Sequence, residues 1–231
     1  MSKILALDTS TDACSAALLL DGKVLKRFEV APRRHTHLLL PMVEALLQES
    51  GVSLKALDAI AFGRGPGSFA GIRIATGAAQ GLALAADLPV VPVSTLECMA
   101  TEYLLTSELP ASRILTALDA RMDEVYWCAW DVTDGKLGYR VPEQVSAPSE
   151  VKVEGLEKGF AALGSGWCYA ESMDAELVAL AQPPRLDIYP NAEYMLSIAE
   201  QALARGETRR PDDVEPVYLR NQVAWKKKDQ Q

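Results

Sequence analysis

With 231 residues, the chain has room for one large α/β domain or two small ones. Its 49% hydrophobic content supports a substantial core and excludes a disordered chain. Lys and Arg number 23 against 31 Asp and Glu, a net charge of −8, which excludes a chain that grips nucleic acid alone, because phosphate binding needs a positive surface.

The first strand is predicted at Lys3–Asp8, continuously apolar until it ends on an acid, as in a buried central strand. Cys14–Leu20 and Lys23–Val30 read as two more strands joined by an Asp21-Gly22 hairpin turn. His37–Ser50 reads as a helix with Leu38, Leu39, Met42, Val43, Leu46 and Leu47 apolar, Gly51 as its stop and Pro41 in its first turn. A strand at Ala59–Phe62 leads into GRGPGSFAGIRIATGAAQGLA, Gly63–Ala83, a glycine turn and then a helix. Every fourth position there is small: Gly67, Gly71, Ala75, Ala79 and Ala83. Residues four apart share a helix face, so this stripe invites unusually close contact, with the chain's own core or with another subunit. Pro89–Val93 is the next strand, and Ser94 with Glu97 forms a capping-box signal for a helix to about Leu105.

After a linker at 106–112 the pattern restarts. Arg113–Asp119 mirrors the first strand and also ends on an acid, Glu124–Asp131 follows, and Asp134-Gly135 turns into a strand at Lys136–Val141. Phe160–Gly164 is a further strand, and a helix from Asn191 to Gly206 is expected to close this half. Both halves then read strand, strand, strand, helix, strand, helix, a duplication of topology. The expected fold is α/β, the duplicated actin-like (ribonuclease H-like) fold of two lobes: residues 1–106, residues 107–231, and a stretch from Val214 that packs back on the body. Facing lobes make a cleft with Asp8 and Asp119 at the C-terminal ends of their first strands, where open α/β sheets place ligands.

That cleft is short of chemistry. No Walker motif follows the glycines, and Gly65-x-Gly67-x-x-Ala70, a loose dinucleotide match, does not follow the first strand of a βαβ unit. Asp8-Thr9-Ser10-Thr11 could approach a nucleotide phosphate or magnesium across the cleft, though the loop lacks glycine and Asp12 would repel phosphate. His35 and His37 read as a surface helix start without a third metal ligand. Ser68 lacks the nucleophile-elbow context and a histidine base. Cys14, Cys98, Cys128 and Cys168 form no CxxC, so neither a disulfide framework nor a zinc site is expected. No leader precedes the first strand, no uncharged apolar run approaches bilayer length, and Lys226-Lys227-Lys228 reads as a solvated end, so a cytoplasmic protein without a membrane partner is expected.

DTSTDACSAAL, the glycine-helix stretch, LDARMDEVYW and EPVYLRNQVAWKK closely resemble the bacterial TsaB (YeaZ) family, nearly end to end. The resemblance implies a non-catalytic subunit of the machinery that makes threonylcarbamoyladenosine in tRNA. It would pair with the paralogue TsaD and, with TsaE, support transfer to the adenosine beside the anticodon; alone it would form a homodimer, and tRNA would be met only through the complex. TsaD holds its metal with an HxxxH pair, where Thr95 and Met99 stand here, so no metal is expected. No cofactor is implied, though a nucleotide at the subunit boundary stays open. The family's partner-binding bundle uses the two helices read above, which places Gly71, Ala75 and Ala79 at or under the interface, flanked by Leu39, Met42 and Leu46. Asp8, Thr9 and Asp119 would be a vestigial nucleotide cleft. Ala70 stands where the family commonly has threonine. The alternative is an autonomous ATP-dependent phosphotransferase of the sugar kinase type, whose cleft acids would hold magnesium.

Overall fold

The computed structural model describes residues 2–220; Trp225 and the lysine run lie outside the described residues. Two mixed sheets form the frame. The first is built from β1 (Lys3–Asp8), β2 (Ala13–Leu20), β3 (Lys23–Val30), β4 (Ala59–Gly65) and β5 (Val90–Ser94), in the order β3-β2-β1-β4-β5. β1 pairs antiparallel with β2 and parallel with β4. The second repeats this plan with β6 (Arg113–Arg121), β7 (Glu124–Thr133), β8 (Lys136–Ser146) and β9 (Ala161–Leu163), ordered β8-β7-β6-β9. A fifth-strand position is marked only by isolated parallel bridges, Phe160 to Ala181 and Leu163 to Arg185. This is the duplicated actin-like α/β fold expected from the strand pattern. Both hairpin turns form where expected, with Asp21, Gly22, Asp134 and Gly135 at positive φ, the conformation that two-residue hairpins require.

The helices α1 (His35–Ser50), α2 (Phe69–Ala86), α3 (Thr95–Thr106), α4 (Ala175–Leu180) and α5 (Ala192–Ala204) cover the sheets. Alternation along β1 sends Leu5 and Leu7 into the layer beneath α1 and α2, and Ile4 and Ala6 toward α5. α5 thus packs on the first sheet, not on the half that precedes it in sequence. Leu96, Met99, Ala100 and Tyr103 of α3 pack in return with Ile114, Leu118 and Trp130 of the second sheet. This exchange of helices is invisible to local sequence patterns, because both faces of each sheet offer similar apolar side chains.

Two further expectations change. No α-helix lies between β8 and β9, only a single 3-10 turn at Pro148–Glu150, so the two halves do not repeat helix for helix. α1 begins at His35, which moves Pro41 into the second turn; His37 is exposed as expected of a surface helix start, but His35 is buried with its Nε2 unpartnered. α2 passes for a membrane-crossing helix by length and composition, but Arg73 interrupts it, so its uncharged run, residues 74–86, stays short of bilayer length as read from the sequence. Gly71, Ile72, Ala75, Thr76, Ala79 and Ala83 explain that apolarity, since they face the interior. Ser94 caps α3 as expected, its Oγ accepting from Glu97 N at 3.1 Å.

Candidate functional site

Two regions were singled out by sequence, the glycine helix and the cleft, and they meet at the N-terminus of α2. There the small residues are required by the chain itself. Ser68 N donates to Ser10 O at 2.7 Å, Ser68 Oγ accepts from Gly71 N at 3.1 Å, and Thr9 Oγ1 donates to Gly71 O at 2.6 Å. A Cβ on Gly67 would stand 2.4 Å from Ser10 O, and one on Gly71 only 1.9 Å from Thr9 O. Further along, Ala75 and Ala79 have no exposed surface, as is true of Leu46, and Leu39 is 1% exposed. Of the six residues expected at the partner surface, only Met42 retains partial exposure. The stripe faces inward because α2 must lie close against the loop after β1 and, beside α1, on the first sheet.

A second small row faces outward. Gly77, Gly81 and Ala85, two residues and so about 200° round the helix from the buried stripe, are exposed, and a methyl added to either glycine would have no neighbour within 4 Å. Half-buried Ile74, Ala78 and Leu82 border them, with Leu38 and Met42 on α1 partly buried in the same cluster. The signal was present in the sequence as Gly77-x-x-x-Gly81; burial alone separates the two rows.

The cleft is a cavity of about 460 Å³ between the lobes. Ser10, Thr11, Asp12, Gly67, Ser68 and Phe69 line one side, with Asp119, Ala120, Arg121 and Tyr126 among the residues opposite. Asp8 is not among them. It lies fully buried below the loop; its Oδ1 accepts from Ser10 N at 3.0 Å and Ser10 Oγ at 2.9 Å, while Oδ2 has no partner. A methyl on Gly63 would stand 1.9 Å from that Oδ2, so the carboxyl sits directly on the β4 backbone. Burial pushes the Asp8 carboxyl up to about 7, against the opposing pull of the Ser10 hydrogen bonds. Thr9 is also fully buried with its hydroxyl committed to Gly71.

Of the cleft residues expected from sequence, Ser10, Thr11 and Asp119 reach the cavity and Asp8 and Thr9 do not. The Asp119 carboxylate accepts from Arg121 N at 2.7 Å, Arg121 Nη1 at 2.9 Å and Tyr169 OH at 3.3 Å. The other cation on the cavity wall, Arg220, is bound to Glu124. In the cleft Asp119, Arg121 and Arg220 are thus already paired, while the exposed Asp12 has no ion-pair partner among the described residues, which also hold no cluster of three metal-ligating side chains. Thr95 donates its hydroxyl to Pro66 O, and Met99 is buried in the α3 core. Cys168 is the exposed cysteine and lines the cavity; Cys14, Cys98 and Cys128 are buried, which raises all three thiols. Arg220, Tyr126 and Phe69 were missed by sequence reading, which had no means of bringing separate loops to one wall.

The family profile described as TsaD, tRNA N6-adenosine threonylcarbamoyltransferase, matches residues 28–228. The tRNA threonylcarbamoyladenosine biosynthesis protein TsaB of Escherichia coli K12 is 44% identical, over 97% of both chains. The chain belongs to the TsaB (YeaZ) family. The Haemophilus influenzae protein of the same name is 41% identical, over 97% of this chain and 96% of its own. Among solved structures, YeaZ from Pseudomonas aeruginosa has a TM-score of 0.87 at 46% identity, covering 95% of this TsaB-family chain and all of that one. A second P. aeruginosa structure, described as an uncharacterized protein with similarity to peptidase YEAZ, has a TM-score of 0.88 at 46% identity.

Proposed function

We propose that this TsaB-family protein is a non-catalytic scaffold subunit in the synthesis of tRNA threonylcarbamoyladenosine. In this reading it pairs with TsaD, works with TsaE, meets tRNA only through the assembly, and forms a homodimer when TsaD is absent. Its place of action is the cytoplasm. The observation that carries the reading is near full-length identity to proteins named for that biosynthesis. The cleft supports the non-catalytic part. A phosphotransferase of the sugar kinase type needs a free carboxylate to hold its metal beside the nucleotide, whereas Asp8 is sealed beneath the β1–β2 loop, Asp119 is held by Arg121 and Tyr169, and Asp12 opposes phosphate.

The contact surface is the outer face of α1 and α2, with Gly77 and Gly81 at its centre and Met42 at its edge. Bare glycines let a partner helix approach backbone to backbone, and the apolar border supplies burial. Gly71, Ala75, Ala79, Leu39 and Leu46 act under that surface, holding α2 at the right depth.

The test is a drop-out reconstitution containing tRNA, threonine, bicarbonate, ATP and the other pathway proteins, with and without this chain. Modification should vanish without it, and the chain alone should produce none. Modification at an equal rate in its absence would overturn the reading.

A further inference from the structure

The stretch after α5 leaves that helix and crosses the molecule. Arg209 and Val90 exchange backbone hydrogen bonds of 2.8 and 2.9 Å at the edge of the first sheet. The chain then follows α2 back toward its N-terminus. Gln80 Nε2 donates to Pro211 O at 3.1 Å and to Val214 O at 3.0 Å, and Val217 N donates to Arg64 O at 2.8 Å. Tyr218 OH accepts from Arg73 Nε at 2.7 Å, and its ring lies 5.8 Å from that of Phe69 at the cleft wall.

Two residues later the chain has reached the second lobe. Arg220 Nε donates to Glu124 Oε2 at 2.8 Å, and Nη2 donates to that same oxygen. Nη2 also donates to Ala120 O at 3.1 Å and Arg121 O at 3.2 Å. All these acceptors belong to the β6–β7 turn, whose conformation is costly. Arg121, Met122 and Asp123 have φ of 61°, 58° and 58°, three successive non-glycine residues in the left-handed region. The pairing of β6 with β7 shifts register at this point.

We propose that Val214–Arg220 is an interlobe latch, in which Arg220 holds the left-handed 121–123 turn and so sets the opening of the cleft. The planar guanidinium suits the task because one rigid fork can serve a carboxylate and two backbone carbonyls together. The latch is anchored on the first lobe through Val217 and Tyr218, and both Arg220 and Arg121 form part of the cavity wall. Releasing Arg220 would free the turn from its donors and detach one lobe from the other along this wall. The inference concerns the chain alone and does not rest on the proposed partner.

The test uses the full chain as wild type, Arg220→Met and Glu124→Gln, with two readouts. Hydrogen exchange followed by mass spectrometry reports the turn; alkylation of Cys168 by a bulky maleimide reports the cleft, since the other cysteines are buried. In Arg220→Met the amides of 121–125 should exchange about tenfold faster or more, as local opening frees them, and Cys168 should react faster. Glu124→Gln weakens the same anchor more gently and should shift both readouts in the same direction, which keeps the test alive if Arg220→Met does not fold. Unchanged exchange in the turn would reduce Arg220 to a surface ion pair. Faster exchange with unchanged Cys168 reactivity would make it a local clamp; either result overturns the latch.

Discussion

A methyl group on Gly71 would lie 1.9 Å from the carbonyl oxygen of Thr9, a separation that no real Cβ contact tolerates. The partner in that contact is backbone, so relief requires α2 to move away from the loop after β1. Gly71→Ala is therefore expected to destabilise the fold by about 1–3 kcal/mol, the usual range for overpacking, measured by urea denaturation. Gly77→Ala is the control. Its methyl meets nothing, and replacing an exposed helical glycine should stabilise the isolated chain by about 0.5–1 kcal/mol. Equal losses in the two variants would refute the assignment of inner and outer rows.

The same geometry separates folding from association. Gly81→Leu adds bulk on the open face and should leave the monomer's melting temperature nearly unchanged while weakening pairing with TsaD roughly tenfold or more, from about 1–3 kcal/mol of lost fit. Ala75→Leu adds similar bulk at a site with no exposed surface and should lower the melting temperature first. Calorimetric titration of both variants against TsaD, alongside thermal melts, checks the pair. A Gly81→Leu protein that binds like wild type would move the interface elsewhere.

Asp8 makes stability depend on pH in a definite direction. Its carboxyl rises from an ordinary 3.8 to about 7 on folding, because burial disfavours the charge. Between those values the folded state holds a proton that the unfolded chain has lost, so this residue makes stability fall as pH rises through that window. Below 3.8 both states are protonated, and above about 7 neither is, so the contribution is flat outside it. Asp8→Asn removes the titration and keeps the shape. The wild-type minus variant difference in unfolding free energy should decline from about pH 4 to about pH 7 by denaturant titration; a difference that stays level would show that Asp8 is ionised in the folded protein.

Arg64 and Glu143 join the first lobe to the second by a two-pronged ion pair, with Arg64 Nη2 at 3.1 and 3.0 Å from the two Glu143 carboxylate oxygens. Glu143 is 9% exposed, and Glu97 adds a further negative charge nearby. Arg64→Met should destabilise the chain by about 3–5 kcal/mol, because it strands a nearly buried carboxylate. The double variant Arg64→Met with Glu143→Leu should regain most of that loss. A single variant as stable as wild type would mean that Glu143 finds solvent or another partner.

Much of the architecture was legible because it is written in short-range chemistry. KILALD and RILTALD became the matching first strands β1 and β6, and Asp-Gly closed both hairpins. Ser94 and Asn191 cap the helices they precede. Each signal depends on period, side-chain shape or a hydrogen bond a few residues away. The glycine helix was legible as a demand for close contact, though not its direction: Gly71 and Gly77 look alike in sequence, and burial against the Thr9 carbonyl and Ser68 hydroxyl sets Gly71 apart.

Two successive sets of strands with their turns and caps, an acidic balance and the family were legible from residue order alone. Packing set the rest: α3 and α5 cross to the opposite sheets, Asp8 lies under the cleft with Asp119 on its wall, and Arg220 reaches the turn at 121–123. The physical reason is range. Periodicity and capping act over a few residues, whereas burial, close approach and ion pairing depend on which distant segments the packed core brings together.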